Sequence, residues 1–220
     1  MHAILSPDAL EARAKAYRLL SALYYPPDEN AGDTLDSLVE LWGAHQPDLL
    51  PLVADMQEEA DPQSLVLVYT PLFLGPFKVL ASPYGSVYLE EKREVMGAST
   101  QEVARLYQQA GLELSAASRE VPDHIAIELE FMYYLIYRQG EALAGDDPAS
   151  ATVWLERQSD FLHRHLGHWI GQFAQAVRAH TSAGSFYGNL AEVTLSFVER
   201  DYRIVCGYPS QSQQQHQPAS

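Results

Sequence analysis

The densest group of polar side chains that could do chemistry consists of Glu120, Asp123, His124 and Glu128, around Pro122. His124 and Glu128 are four residues apart, so their side chains can meet across one turn of a helix. One interpretation is structural: Asp123 caps a helix start, while His124 and Glu128 form an exposed pair. The other is an acidic pocket that binds a guanidinium group through bidentate hydrogen bonds. The spacing alone favours the structural interpretation and leaves the second open.

The sequence lacks the motifs of common phosphate, nucleotide and nucleophile chemistry. No glycine is followed by lysine, and neither G-x-G-x-x-G nor G-x-S-x-G occurs. The zinc-binding motif H-E-x-x-H is also missing. A nucleotide-hydrolysing enzyme that uses Asp123, His124 and Glu128 as acid–base groups is kept as a disfavoured alternative. We expect no catalytic residue, no enzymatic activity and no cofactor.

Three histidines, His163, His165 and His168, are the nearest approach to a metal site. Within one helix only His165 and His168 share a face, and two ligands make a weak site. A solvated helix face is therefore the favoured interpretation, and we expect no bound metal. The single cysteine, Cys206, cannot form an internal disulfide or a thiolate metal site.

The chain has 14 basic and 29 acidic residues, which gives a formal net charge of -15. Because phosphate binding needs clustered lysine and arginine, we expect no nucleic-acid partner, whereas a basic partner would be attracted. No apolar run is long enough to span a bilayer, and residues 1–10 lack the basic and apolar regions of a signal peptide. We therefore expect a cytoplasmic protein without stable membrane insertion.

Apolar residues recur at helical spacing along most of the chain, which predicts an all-α protein. On the first helix this stripe consists of Leu10, Ala14, Tyr17 and Leu20, with Ser6 as the N-cap. Helices are predicted over residues 7–25, 34–45, 48–59, 62–73, from 99 to the glycine at 111, from 122 to the loop at 145, over 149–180 with a bend near Gly167 or Gly171, and over 190–205. We predict one all-helical domain, residues 1–207, followed by a disordered tail rich in Gln, Ser and Pro, residues 208–220.

Two of these helix starts have recognisable signals. Ser99 and Glu102 have the spacing of a capping box, in which each side chain bonds to the backbone N–H of the other residue. Pro122 is predicted to open the following helix, because its fixed φ suits the first turn. These signals place two predicted helix starts in the middle of the chain, at residues 99 and 122.

Residues 74–88 form an irregular segment that is apolar rather than polar. Glycines and prolines interrupt the helical periodicity there, among five apolar or aromatic side chains: Phe77, Val79, Leu80, Tyr84 and Tyr88. Loops ordinarily are polar and run over the surface. This segment is therefore either tucked into a core or presented to a partner. For the preceding Leu72 and Phe73, core packing is at least as favoured as binding.

Three segments resemble sequence motifs of one known family. Residues 120–132, E-V-P-D-H-I-A-I-E-L-E-F-M, look like the signature helix of the TorD/DmsD/NarJ-type redox-enzyme maturation chaperones. Residues 69–90 resemble the family's loop, with L-F-L-G-P at 72–76 and S-P-Y-G-S-V-Y-L at 82–89. Residues 161–169 are similar to the family's F-L-x-x-H-L-x-x-W pattern. Three motifs in the family's order make the resemblance specific, and it is to the TorD/DmsD branch.

The resemblance implies an all-α, bundle-like fold with a larger N-terminal and a smaller C-terminal helical lobe, whose boundary we place near residues 112–121. It also implies a partner, the precursor of a molybdoenzyme catalytic subunit. The chaperone would bind the twin-arginine signal peptide, or leader, of this molybdopterin-containing oxidoreductase, or its apo-form, assist cofactor insertion and delay export. Family members occur as monomers and as domain-swapped dimers, so both states stay open.

A twin-arginine leader carries two guanidinium groups followed by an apolar segment, so its binding needs an acidic patch beside an apolar groove. We hypothesise that Glu120, Asp123 and Glu128 supply the patch and that side chains of residues 72–88 supply the groove. The resemblance and this hypothesis together assign the following site residues: Leu72, Phe73, Pro83, Tyr84, Gly85, Ser86, Tyr88, Glu120, Pro122, Asp123, His124 and Glu128. The other non-enzymatic alternative is a scaffold that binds the folded catalytic subunit independently of the leader.

Overall fold

The computed structural model describes residues 6–75, 79–92, 94–112 and 121–207, and most of these residues are helical. The described part of the chain contains ten α-helices: α1 (Pro7–Ala22), α2 (Ala31–His45), α3 (Leu50–Glu58), α4 (Pro62–Tyr69), α5 (Ser86–Leu89), α6 (Ala98–Gln109), α7 (Ile125–Ala144), α8 (Pro148–Arg164), α9 (Leu166–Arg178) and α10 (Phe186–Cys206). A 3₁₀ turn, Pro47–Leu49, leads into α3, and a π-helical turn, Thr70–Leu74, follows α4. No β-strand lies in these ranges, which confirms the predicted all-α class.

Helix α1 confirms the predicted N-cap and the predicted apolar stripe. The Ser6 hydroxyl oxygen accepts a hydrogen bond from the Ala9 N–H at 3.2 Å. All side chains of the stripe are buried, and α1 packs mainly on α7. The helix ends at Ala22, before the predicted residue 25, because the next two N–H groups bond to carbonyls only three residues back.

The predicted capping box at the start of α6 is wrong. The Glu90 carboxylate accepts hydrogen bonds from the Ser99 N–H at 2.8 Å and from its hydroxyl at 2.6 Å. Glu102 instead accepts a hydrogen bond from Arg164 at 2.6 Å, on α8. Glu90, which precedes the helix, therefore accepts the Ser99 N–H hydrogen bond that the capping box assigned to Glu102.

The predicted helix over residues 149–180 is two helices, α8 and α9, and the bend near Gly167 is confirmed. The chain leaves helical geometry at His165, where φ is −126° and ψ is −107°. A side-chain carbon on Gly167 would lie 2.4 Å from the Leu162 carbonyl oxygen, so this close approach requires glycine. His165 is buried by the turn, and the interpretation of a solvated histidine face is wrong for this residue. The last helix, α10, also begins four positions before the predicted residue 190.

One continuous cluster of buried apolar side chains runs through the described part of the chain, from α1 to α10. Trp42, Trp169, Tyr17 and Tyr24 are among its largest members. Helix α7 lies between α1 and α8, while α10 packs against α3, α8 and α9. Helix α9 packs mainly on α10 and α8 and also contacts α7, so two of the three family motifs meet in this core.

A buried polar network lies inside this core and ties α1 to α7, α8 and α10. Arg13 donates through Nε to Asp201 Oδ1 at 2.5 Å and through Nη2 to Gln158 Oε1 at 2.8 Å. The Tyr17 hydroxyl donates to Asp201 Oδ2 at 2.8 Å. Gln158 in turn donates to Gln139 Oε1 on α7 at 2.9 Å. Because the ion pair is buried with further hydrogen bonds, removal of one partner breaks a buried charge pair, which is costly.

Two predictions concern residues that are mostly outside the described ranges. The proposed lobe boundary, residues 112–121, and the tail, residues 208–220, both stay predictions. Within the described ranges, no helix is both long enough and apolar enough to cross a membrane.

Candidate peptide-binding site

Two of the family motifs meet where residues 82–89 lie against residues 123–128, and we call this contact the loop–helix junction. Tyr84 and His124 form an isolated antiparallel bridge. The Gly85 N–H donates to the Asp123 carbonyl at 2.9 Å, and the Ile125 N–H donates to a carbonyl of the loop at 2.8 Å. Backbone hydrogen bonds therefore hold the apolar loop on the first turn of α7.

Asp123 anchors the loop rather than helix α7. Its Oδ2 accepts a hydrogen bond from the Ser86 N–H at 2.7 Å, at the start of α5. Its Oδ1 has no hydrogen-bond partner among the described residues, and its side chain is buried. The N-cap of α7 is His124, so the predictions that Asp123 caps this helix and that Pro122 opens it are wrong.

Glu128 joins the third family motif to the junction. Its Oε2 accepts a hydrogen bond from the Trp169 indole N–H on α9 at 2.9 Å, while Oε1 has no partner among the described residues. A side-chain carbon on Gly85 would lie 2.9 Å from that indole nitrogen and 3.3 Å from Oε1, so the loop approaches closely only as glycine. Burial raises the pKa of Glu128 well above its usual range.

The predicted acidic patch is therefore not an exposed surface in the described structure. Asp123 and Glu128 are 1% and 0% exposed, and Glu120 is outside the described residues. The interpretation of His124 and Glu128 as an exposed pair is also wrong, because both side chains are buried. The assignment of these residues to a leader-binding site stays a prediction.

His124 lies at the centre of the junction. Its Nδ1 accepts a hydrogen bond from the Ala126 N–H at 3.2 Å, which caps α7. The Tyr25 ring stacks on it with centroids 6.3 Å apart, and the Tyr84 ring meets it edge-on at 5.3 Å. Burial lowers the pKa of His124 to about 4. The ring is therefore neutral near pH 7, as its role as acceptor requires.

The apolar site residues divide into a buried set and a half-buried set. Leu72 and Phe73 belong to the core, which confirms core packing for both, with Phe73 against Phe173 at 6.1 Å. Tyr88 is half-buried, and its ring stacks on Trp169 with centroids 5.6 Å apart and planes 10° apart. The remaining residues are distributed as follows: Tyr84 and Pro122 are half-buried, Pro83, Gly85 and Ser86 are buried, and Phe77 is outside the described residues.

The prediction from sequence missed Tyr25 as a neighbour of the site. It was assigned to the end of the first helix, whereas it follows α1 and contacts His124. Trp169 was part of a motif but was not assigned to the site. In both cases the signal was an aromatic side chain beside a helix break, at Pro26 and at Gly167. No group of His, Cys, Asp and Glu that could hold a metal occurs in the part of the chain that the structure describes.

His124→Asn is expected to flatten the pH dependence of stability between pH 6.5 and about 4. The unfolded chain binds a proton on this ring at its ordinary pKa of about 6.5, whereas the folded protein does so only near 4. Stability from the neutral ring is thus nearly complete above pH 6.5 and falls as the pH drops, by about 2.5 kcal/mol at about pH 4.5. Asparagine keeps an N-cap acceptor and does not titrate. Urea unfolding followed by circular dichroism, at about pH 7.5 and about pH 4.5, measures the difference.

His168→Asn is the matched control, because this ring is exposed in the folded protein. The raised pKa of Glu128 changes stability with pH in the opposite direction. Glu128 is present in wild type, His124→Asn and His168→Asn, so its contribution cancels when their pH profiles are compared. Equal pH profiles for wild type and His124→Asn would contradict the assignment of a buried neutral ring.

A family model described as nitrate reductase delta subunit matches residues 29–175. The chain belongs to the nitrate reductase delta subunit family. Within this family it is 30% identical over 212 residues to the chaperone protein TorD of Shewanella loihica, covering 88% of this chain and 92% of the relative. It is 29% identical over 215 residues to TorD of Shewanella oneidensis, with 90% and 92% covered, and 35% identical over 132 residues to TorD of Escherichia coli, with 60% and 59% covered.

A solved structure supports the same family assignment. A candidate redox enzyme maturation protein from Archaeoglobus fulgidus superposes with a TM-score of 0.57 at 26% identity, over 84% of this chain and 93% of that chain. The matches confirm the resemblance to the TorD/DmsD/NarJ-type redox-enzyme maturation chaperones and the all-α fold. In this member of the family, the three sequence motifs meet at the loop–helix junction.

Proposed function

We propose that the protein is a cytoplasmic maturation chaperone that binds the twin-arginine leader of a molybdoenzyme catalytic-subunit precursor and performs no catalysis. The observation that carries this proposal is the loop–helix junction, because it brings the three family motifs into contact through Asp123, Glu128 and Trp169. Family membership and the TorD relatives support a chaperone role. The net charge of -15 favours a cationic peptide.

The junction has the chemistry that such a peptide requires. Tyr84 and Tyr88 are half-buried, and aromatic side chains of this kind can pack against an apolar segment. The carboxylate oxygens Asp123 Oδ1 and Glu128 Oε1 are unpaired among the described residues, and burial of such groups without partners is costly. A guanidinium reaches them only when the loop moves away from α7. In the closed arrangement the two acids hold the loop in position, and on opening they become acceptors for arginine.

Calorimetric titration tests the proposal with a synthetic peptide of two consecutive arginines followed by about ten apolar residues. Saturable binding to the full chain is expected. A second peptide, with both arginines replaced by lysine, should bind roughly tenfold more weakly, because lysine cannot form the bidentate fork. A scrambled peptide of the same composition is the control. Equal affinity for all three peptides would overturn guanidinium recognition.

The two alternatives have their own outcomes. A scaffold that recognises the folded catalytic subunit would co-purify equally with a precursor from which the leader has been deleted, and this result would overturn leader binding. A nucleotide hydrolase would turn over ATP or GTP in purified form, and loss of that turnover in a His124→Asn variant would overturn the non-enzymatic assignment. We expect the deletion to abolish the complex and expect no turnover.

A further inference from the structure

A pocket of about 170 Å³ lies at the carboxyl end of α1, between the loop to α2 and the starts of α4 and α10. We call it the α1 pocket. Its lining is mixed: apolar and aromatic side chains stand beside the polar residues Asp28, Asn30 and Thr34. The apolar and aromatic part includes Leu23, Tyr25, Pro26, Leu65 and Tyr187. An engineered cavity of about 150 Å³ binds benzene. The α1 pocket therefore has room for one leucine or phenylalanine side chain.

The rim of the α1 pocket is acidic. Among the described residues that line it, Asp28 carries the only formal charge, and the adjacent Glu29 is exposed as well. Asp28 Oδ1 accepts a hydrogen bond from the Asn30 backbone N–H, and Asp28 Oδ2 accepts one from the Asn30 side-chain amide, both at 2.9 Å. Because a carboxylate offers about four acceptor positions, this group is held in place and can still bind a guanidinium.

Tyr25 connects the α1 pocket to the loop–helix junction. Its ring lines the pocket and also stacks on His124, which contacts Tyr84 of the loop. Its hydroxyl group is hydrogen-bonded to the carboxylate of Glu130, an exposed residue of α7. The pocket and the candidate site are thus neighbours, with acidic groups near Tyr25 on both α7 and the loop after α1.

We propose that the α1 pocket binds one large apolar side chain of the client's leader, while the Asp28 carboxylate binds an arginine of the same peptide. The inference rests on the proposed function and extends the leader site beyond the family motifs. Charge complementarity selects this occupant, since a second copy of the chain carries a net charge of -15 and would be repelled.

The test is titration of the full chain with the same arginine-bearing peptide. Ala22 is exposed and lines the pocket, so Ala22→Phe fills it from the surface without a change in the core. We expect this variant to bind roughly tenfold or more weakly, the scale of burying one large apolar side chain. Ala54→Phe, at an exposed position of α3, is the matched control and should bind like wild type.

The charge is tested separately. Asp28→Asn should weaken binding roughly threefold to tenfold at low salt, and the difference should shrink at high salt. Glu40→Gln removes one negative charge from an exposed position of α2 and is the control. If Ala22→Phe fails to fold, as judged by circular dichroism, this pair of variants decides the proposal.

The outcomes separate the pocket from the proposed function. If wild type binds with the arginine dependence expected above and both Ala22→Phe and Asp28→Asn bind equally well, the α1 pocket is not part of the site. If wild type does not bind the peptide, both proposals are overturned. If Ala22→Phe instead converts a dimer to a monomer in light scattering, the occupant is a second copy and the proposal is overturned. Coupling between Ala22→Phe and shortening of one apolar peptide residue, in a double-mutant cycle, would support it.

Discussion

Asp201→Ala is expected to lower the free energy of unfolding by about 3–5 kcal/mol, because the buried Arg13 guanidinium loses the carboxylate that binds it through two hydrogen bonds. Arg13 and Asp201 are 7% and 2% exposed, and the carboxylate also accepts the Tyr17 hydroxyl. A small domain has only about 5–15 kcal/mol in total, so this one change removes a large part of it. Urea unfolding followed by circular dichroism gives the value.

Glu199→Ala is the matched control on the same helix. Glu199 pairs with Arg203 on the exposed face of α10 at 3.3 Å, and such surface pairs contribute less than about 1 kcal/mol. The double variant Arg13→Met with Asp201→Leu removes both charges and should recover most of the lost stability, since apolar replacement of a buried pair is often nearly neutral. If Asp201→Ala and Glu199→Ala lower the free energy of unfolding equally, the Arg13–Asp201 ion pair does not stabilise the packing of α1 on α10.

Trp169→Ala is expected to lower the free energy of unfolding by about 3–5 kcal/mol and to weaken binding of the peptide's apolar segment, because the Tyr88 ring is no longer held in place. The substitution removes the stacking partner of Tyr88 and the N–H that donates to Glu128, so the buried carboxyl loses its hydrogen bond and the loop loses its support. Trp169→Phe separates the two effects, because it keeps an aromatic ring and lacks the donor. It should cost about 1–3 kcal/mol. Stability is measured by urea unfolding and affinity by calorimetry.

Trp154→Ala serves as the control for loss of a tryptophan. Its indole is half-buried on α8, with the Arg138 and Arg157 guanidinium groups 4.7 Å and 4.5 Å from the ring centroid. Its removal should cost about 1 kcal/mol and leave peptide affinity unchanged. If both tryptophan variants unfold at the same urea concentration, the role assigned to Trp169 is contradicted.

Local patterns were sufficient to predict most of the fold. The Ser6 cap, the α1 stripe and the glycine at the α8–α9 break depend on interactions within a few residues, and the sequence shows these directly. The same stripe held a signal that the prediction did not use. Arg13 lies between Leu10 and Tyr17 on the buried face, and a charge in that position requires a buried partner. The partner itself, on α10, depends on tertiary packing and cannot be identified from spacing.

The sequence predicted which residues form the candidate site, but it did not predict that Asp123 and Glu128 are buried. The motif resemblance identified Asp123, Glu128 and the loop over residues 82–89, and these do lie in contact. Glu128 was interpreted as part of an exposed pair and both acids as a patch open to a peptide, whereas the loop and Trp169 cover them. Whether a carboxylate at a helix start is exposed depends on where a distant segment packs. Helical periodicity contains no information about that segment, so the burial could be found only from the structure.

The separation of buried and half-buried residues at the loop–helix junction has a consequence for how such a protein can diverge. Gly85 and Glu128 are constrained by close contact with Trp169, so most substitutions there would disturb folding. Tyr84 and Pro122 retain solvent exposure and can change with little effect on the core. Selection for a new client would therefore change the half-buried residues Tyr84 and Pro122 and leave the buried residues Gly85 and Glu128 unchanged. Relatives with different clients could share one architecture and differ in a few side chains at its rim.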